Sequence, residues 1–144
     1  MIPELKNSSI KPSVIYADPP YTDDQYSRFY HLFETIALYD TPQLSGHGRY
    51  RTDRFRTPFS VKSTSAEALN ALASGISDLG SDLVLSYPTN GLIYQRGVDP
   101  EKILSLHFEK VDCLSTIEHS HSTFGASKGP SKHAVVEQLF FARH

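Results

Sequence analysis

The feature that most constrains this chain is a short apolar run that stops at two prolines. Val14–Ala17 contains β-branched and aromatic residues, a composition typical of a buried strand. Asp18-Pro19-Pro20-Tyr21 follows at once. Each proline fixes its own φ at about −65° and keeps the preceding residue out of the helical region. The chain is therefore predicted to leave the strand as a rigid, extended corner.

This corner is the first candidate for a functional site. An extended backbone leaves carbonyl groups pointing outward beside the Asp18 carboxylate, and the Tyr21 ring stands two residues beyond Pro19. Open α/β sheets bind their ligands at the carboxyl ends of strands. The corner therefore places a cluster of hydrogen-bond acceptors next to a stacking surface. The alternative is a stiff turn that only closes a core strand.

Strand and Asp-Pro-Pro-Tyr together resemble the catalytic motif of amino-group methyltransferases, and the Asp form is typical of the DNA N6-adenine class that uses S-adenosylmethionine. The order of predicted elements over residues 13–142 is similar to the carboxyl-terminal half of such an enzyme. The resemblance implies an α/β fold, a partial Rossmann-like S-adenosylmethionine-dependent methyltransferase sheet. This chain would supply strands four to seven, with the last two antiparallel and helices flanking them.

The resemblance also implies roles for individual residues. The Asp18 carboxylate and the Pro19 carbonyl would accept hydrogen bonds from the N6 amino group of a flipped adenine, Pro20 would set the corner, and Tyr21 would stack on the base. Asp18 and Tyr87 are also predicted to lie beside the cofactor, S-adenosylmethionine. Methylation of RNA adenine or of a protein glutamine amide is the alternative chemistry. Asp in place of Asn favours adenine.

The chain departs from that family at the cofactor site. The family has a Gly-rich turn after its first strand, whereas Gly46-His47-Gly48 follows no predicted strand. Three explanations stay open: a fragment, one polypeptide of a split enzyme, or a non-catalytic remnant that binds nucleic acid. In the first two, a second chain or an amino-terminal half would supply the cofactor site. The strand at Val14 would then be an exposed apolar edge that favours pairing with a partner.

Positive charge is concentrated in residues 41–63, predicted to be a long irregular loop. The whole chain has a formal net charge of −2, yet residues 49–62 carry five basic side chains and one acidic one. Aromatic residues alternate with these bases, a pattern that suits phosphate neutralisation and base stacking. A charged surface loop pinned by its aromatics is the alternative. The predicted DNA contacts are Arg49, Arg51, Arg54, Arg56 and Lys62.

The rest of the chain is predicted to be scaffold. Residues 1–12 are a lead-in segment, helices are expected over about 24–39, 65–80 and 100–107, and strands over 82–87, 109–117 and 133–141. Ser86, Tyr87 and Asn90 lie at the carboxyl end of the second predicted strand and would face the same crevice as Asp18 if the two strands were parallel. Turn chemistry is the alternative for Tyr87 and Asn90.

Length and composition restrict the number of domains, the location and the metal binding that we expect of this chain. At 144 residues the chain is predicted to form a single domain, residues 1–144, the carboxyl-terminal part of a catalytic domain. It has neither a membrane-length apolar run nor a signal-peptide pattern, so a cytoplasmic location is expected. Cys113 is the single cysteine and is expected in the core. His119 and His121 have no evident third ligand, so no metal is predicted.

Overall fold

The structure is a computed structural model that describes residues 11–122 and 132–144. Its strands are β1 (Val14–Ala17), β2 (Leu44–Ser45), β3 (Tyr50–Arg51), β4 (Asp82–Pro88), β5 (Lys110–Ser122) and β6 (Lys132–Arg143). Its helices are α1 (Tyr26–Phe29), α2 (His31–Leu38), α3 (Ser65–Ser77), α4 (Leu92–Gln95) and α5 (Pro100–Leu104), with a 3₁₀ turn at Pro58–Ser60.

The central element is a four-stranded mixed sheet in the order β1-β4-β6-β5. β1 runs parallel to β4, and β6 runs antiparallel to both of its neighbours. This confirms the α/β class and the antiparallel pairing of the last two strands, and it meets the condition of parallel strands on which a shared crevice depends. Among the described residues β1 is an edge strand, and β6 lies between β4 and β5 although it is the last strand in the chain.

The core lies on one face of this sheet, where α3 packs. The helix presents apolar side chains at helical spacing because Leu69, Ala73 and Ile76 recur at three or four residues, and all three are fully buried. They meet strand residues that alternate along β4, including Leu83 and Leu85. The opposite face is less covered, since Tyr16 of β1 is 62% exposed.

The predicted helix over residues 24–39 is divided in two. Tyr30 has φ −101° and ψ 6°, which interrupts the helical ladder between α1 and α2. No residue of α2 is buried, and Leu32, Phe33 and Ile36 are 59%, 66% and 64% exposed. The apolar spacing therefore identified helical backbone correctly, but these side chains do not pack on the described core.

The basic segment is more ordered than predicted. β2 and β3 form a short antiparallel hairpin whose turn runs from Gly46 to Arg49, both with positive φ. A 3₁₀ turn follows, capped by the Thr57 hydroxyl, which accepts a hydrogen bond from the Phe59 amide at 3.4 Å. The prediction of a wholly irregular loop over 41–63 was wrong because a glycine-assisted turn allows a hairpin there.

Other predicted helices and strands differ from the structure in the residues where they begin or end. α5 begins at Pro100, after the Asp99 cap, as predicted, but ends at Leu104. β5 extends to Ser122, and α4 was not predicted. Cys113 is exposed rather than buried, next to an irregularity in the β5–β6 register. Within the described ranges, no helix has the length and apolar character required to cross a bilayer.

Candidate active site and nucleic-acid interface

The corner after β1 is held at both of its ends. Asp18 is exposed, Pro19 is buried, and Tyr21 is half-buried against the core. The Tyr21 carbonyl accepts a hydrogen bond from the Leu92 amide, at 2.9 Å, where α4 begins. The two prolines thus fix the direction of the chain, and the Leu92 contact fixes its distance from the end of β4.

The carboxyl ends of β1 and β4 lie at the same edge of the sheet, as their parallel pairing requires. The antiparallel strand β6 adds Glu137 there, in register with Pro88. The Ser86 hydroxyl donates a hydrogen bond to the Glu137 carboxylate. Sequence reasoning missed Glu137, although a carboxylate within an apolar strand was an available signal.

Electrostatics place Asp18, Tyr21 and Glu137 in one site. The pKa of Tyr21 is raised by burial first, then by the negative charge of Glu137, then by that of Asp18. The pKa of Tyr26 is raised by burial and then by Asp18. Asp18 therefore acts on both phenols and Glu137 acts on Tyr21, and both phenols stay protonated at neutral pH.

Tyr87 lies in the core rather than at the surface of this site. Its side chain is fully buried, and its hydroxyl accepts a hydrogen bond from the Ile93 amide at 3.2 Å. A Cβ on Gly91 would come within 2.5 Å of the Tyr87 ring, so the turn after β4 requires glycine. A Tyr87 side chain in this position packs in the core and does not line an open cofactor pocket. Asn90 is exposed, and its carbonyl accepts a hydrogen bond from Gln95.

The five predicted DNA contacts occupy different environments. Arg49 and Lys62 are exposed, at a turn and after the 3₁₀ turn. Arg51 has a side chain that is only 4% exposed. Its guanidinium donates two hydrogen bonds to Asp40, at 2.6 and 2.8 Å, and two to Asp53, at 3.1 and 2.9 Å. This internal pairing gives Arg51 a structural role, because the donors that a phosphate would need are bonded to Asp40 and Asp53.

Arg54, another predicted DNA contact, lies against Tyr50 together with Arg28. The guanidinium groups of Arg28 and Arg54 lie 5.1 and 4.9 Å from the centroid of its ring. The His31 ring contacts Tyr50 edge-on at 5.0 Å. A Cβ on Gly48 would come within 2.3 Å of the Tyr50 ring, so any side chain at this position would have to displace the ring. Arg54 and Arg56 also line a cavity of about 390 Å³ beside α1.

The predicted absence of a metal at His119 and His121 concerns side chains outside the described part of the structure. His119 and His121 lie in β5, but their side chains fall outside the described residues. Within the part of the chain whose side chains are described, no group of three or more His, Cys, Asp or Glu residues could hold a metal ion.

The α/β sheet and the Asp-Pro-Pro-Tyr corner that follows its parallel strand β1 are the features that the sequence analysis expects of an amino-group methyltransferase. Comparison with known proteins identifies the family. Residues 4–81, just over half of the chain, match the model of the D12 class N6 adenine-specific DNA methyltransferase. The chain belongs to this family, which confirms the resemblance drawn from its motif.

Curated relatives agree with this assignment. The chain is 46% identical over 54 residues to modification methylase LlaI of Lactococcus lactis subsp. lactis and 34% identical over 95 residues to type II methyltransferase M.FokI of Planomicrobium okeanokoites. It is 30% identical over 141 residues to type II methyltransferase M.NlaIII of Neisseria lactamica. These matches cover 38%, 65% and 97% of this chain but 9%, 14% and 39% of the relatives. No solved structure matches the chain at a significant level.

Proposed function

We propose that this chain supplies the acceptor side of methyl transfer from S-adenosylmethionine to the N6 amino group of a flipped adenine in DNA. The observation that supports this most directly is the corner itself, an exposed Asp18 carboxylate after β1 with Tyr21 half-buried beside it. Family membership supports the same chemistry, because the family is described as adenine-specific.

The chemistry needs acceptors more than it needs a strong base. The exocyclic amino group of adenine is a weak nucleophile because its lone pair is delocalised into the ring. Hydrogen bonds from this group to the Asp18 carboxylate and the Pro19 carbonyl would draw the nitrogen toward tetrahedral geometry. The carboxylate would also stabilise the positive charge that grows on nitrogen during attack, which is preorganised electrostatic stabilisation.

A base must leave the duplex to reach such acceptors. Flipping costs a few kcal/mol, and stacking on an aromatic side chain recovers about 1–3 kcal/mol. Tyr21 is suited to this role because its carbonyl is fixed by the Leu92 amide and its phenol stays neutral. Arg49, Arg54, Arg56 and Lys62 would hold the nucleic-acid backbone, and Arg51 would hold the hairpin whose turn carries Arg49.

The described residues do not fit S-adenosylmethionine by themselves. The turn after β1 carries Pro19 and Pro20, which have no amide hydrogen, so it cannot act as a glycine-rich amide cradle. Methyltransferases of this family use the cofactor in general. We infer that most of its site comes from polypeptide beyond the described residues, with Asp18 of this chain beside it.

The β1 edge is the surface we propose for that polypeptide. Among the described residues, no strand pairs with the outer side of β1, and Val14 and Tyr16 are 50% and 62% exposed. An edge strand offers a row of backbone donors and acceptors to another strand. A second chain or an amino-terminal half that adds a strand there would bring a cofactor site to the Asp18 corner.

The test is a chimera in which this chain replaces the matched segment of M.NlaIII. We expect methyl transfer from labelled S-adenosylmethionine to DNA, and we expect Asp18→Asn to lower kcat by about 100-fold or more while DNA affinity changes little. Glu109→Gln, an exposed carboxylate outside the site, is the matched control. Equal turnover of the Asp18→Asn chimera and its parent would refute the assigned role.

A second measurement addresses the cofactor. Calorimetric titration of the isolated chain with S-adenosylmethionine is expected to show no binding, because the corner lacks amide donors. A one-to-one isotherm would contradict the inference that the pocket requires additional polypeptide. A nucleic-acid-binding remnant is the second candidate function, favoured by the arginine cluster at Tyr50. It predicts DNA binding by a chimera that transfers no methyl group.

A further inference from the structure

The cavity beside α1 is a built site separate from the Asp18 carboxylate. It measures about 390 Å³ and lies between residues 23–28 and residues 52–61. Its lining includes three arginines and two aspartates, so it is net positive in a chain whose net charge is −2. The charged side chains of the lining are Asp23, Asp24, Arg28, Arg54 and Arg56.

Side-chain hydrogen bonds fix the two walls of this cavity to each other. Gln25 accepts a hydrogen bond from the Thr57 amide at 2.8 Å and donates one to the Thr57 carbonyl at 3.4 Å. The Ser27 hydroxyl donates to the Phe55 carbonyl at 2.8 Å, and the Ser60 hydroxyl donates to the Asp24 carbonyl at 3.0 Å. The cavity is thus preorganised rather than a gap between independent loops.

The Tyr50 ring orients two of the three arginines. Arg28 and Arg54 both lie against it, and attraction to the aromatic ring offsets part of the repulsion between the two guanidinium charges. The Arg28 guanidinium lies 3.5 Å from Asp24, a loose pair that leaves donors available. Among the described residues, Arg54 and Arg56 have no carboxylate partner. Guanidinium groups held by stacking still offer their planar forks to an anion.

We propose that this cavity binds a phosphodiester of the nucleic-acid backbone close to the target nucleotide. The inference rests on the proposed function, because the wall formed by residues 23–28 begins two residues after Tyr21. A phosphate held there would fix the strand on one side of the flipped nucleotide while the base occupies the corner. Arg28, which sequence analysis did not assign to DNA, becomes a phosphate contact.

The test measures binding of a short, fluorescently labelled single-stranded oligodeoxynucleotide to the full chain by anisotropy over a series of salt concentrations. We expect Arg28→Gln, Arg54→Gln and Arg56→Gln each to weaken binding about tenfold and to reduce the salt slope by about 0.7. Lys102→Gln, an exposed residue of α5, is the matched control. Loss of affinity in the control equal to that in the arginine variants would overturn the proposal.

A double-mutant cycle, which combines a protein substitution with a modified oligonucleotide, locates the phosphate that the cavity contacts. A neutral methylphosphonate at the phosphate bound in the cavity should weaken binding to the wild-type chain and have no further effect on Arg54→Gln. Additive losses at every position would overturn the cavity as a defined phosphate site. Tyr50→Leu keeps all charges, so an affinity equal to that of the wild type would overturn the orienting role of the ring.

Inorganic phosphate separates a backbone site from a free-phosphate site. We expect it to compete only weakly with the oligonucleotide, and binding as tight as that of the oligonucleotide would overturn the backbone assignment. These outcomes do not depend on turnover. If the arginine variants bind normally while the Asp18→Asn chimera is inactive, the cavity proposal fails and the methyl-transfer proposal stands.

Discussion

The regions on the two sides of the Tyr21 corner are held together by different forces. In the sheet, β1, β4 and β6 are joined by backbone hydrogen bonds over a core in which Leu83, Leu85 and Phe140 are almost wholly buried. From residue 24 to residue 60, side-chain hydrogen bonds and arginine contacts hold the chain, and α2 buries no residue.

From this difference we expect the sheet to provide stability and the segment over residues 24–60 to provide recognition. A sheet that buries apolar side chains keeps the Asp18 corner in place at a large free-energy cost for any distortion. The segment over residues 24–60 buries little and presents charge, so its contacts can be exchanged for contacts with a ligand. Substitutions in the sheet should therefore change the free energy of unfolding, and substitutions in the segment should change binding.

The largest contrast is expected between two apolar truncations. Leu85→Ala removes a fully buried side chain of β4 and should lower the free energy of unfolding by about 2–5 kcal/mol. Ile36→Ala removes a side chain of α2 that is 64% exposed and should change it by no more than about 0.5 kcal/mol. Urea denaturation of both variants measures the difference, and comparable losses would show that α2 is packed in solution.

Two glycine substitutions provide the next contrast. Gly91→Ala forces a Cβ to within 2.5 Å of the buried Tyr87 ring and should cost about 1–3 kcal/mol. Gly48→Ala brings a Cβ to within 2.3 Å of the Tyr50 ring, but this ring is only half-buried and can move. We expect it to weaken oligonucleotide binding with little loss of stability. The opposite ranking in thermal denaturation would contradict the comparison.

Acid should loosen the hairpin before it affects the sheet. Arg51 lowers the pKa of Asp40 and of Asp53, chiefly through hydrogen bonds to each carboxylate. A carboxyl group with a lowered pKa in the folded state stabilises it above the unfolded pKa, about 3.9, and that stability is lost as pH falls through the folded value. Exchange of the Thr52 amide, bonded to the Gln43 carbonyl at 3.0 Å, measures the opening.

The Asp40→Asn variant is the control for this acid response. It should already exchange faster at neutral pH and should respond less to acid, because one of the two carboxylates no longer titrates. Identical pH profiles for the variant and the wild-type chain would show that this pair does not hold the hairpin.

The smallest expected effect is a shift in one phenol. Glu137→Gln removes a negative charge near Tyr21 and should lower the pKa of that phenol, which should still lie above its usual value because burial is the larger cause. Ultraviolet titration, with Tyr21→Phe to identify the signal, measures the shift. If Glu137→Gln left the pKa of Tyr21 unchanged, Glu137 would not belong to the site around Tyr21.

The sequence predicted those features that follow from local chemistry. Val14–Ala17 and the two prolines determine a strand and a corner by their own backbone preferences, and the spacing of Leu69, Ala73 and Ile76 determines a helix face. Asp99 before Pro100 marks a helix start in the same way. These signals act within a few residues, so the local preference for a strand, a corner or a helix is also the conformation found in the structure.

Features that depend on distant pairing could not be predicted. Nothing near Arg51 indicates that Asp40 and Asp53 enclose it, because the hairpin brings them together. Glu137 reaches the corner only because β6 lies beside β4. The exposure of α2 could not be predicted either, since periodicity identifies a face and not the surface that covers it.

The position of β6 has a consequence for how this protein is made. β4 is complete by residue 88, yet its antiparallel neighbour β6 begins only at residue 132. Until residues 132–143 emerge, β4 lacks one of its two neighbours and the nascent sheet exposes unpaired backbone. Synthesis therefore passes through an interval in which chaperone capture or premature termination would leave the Asp18 corner on an unfinished scaffold.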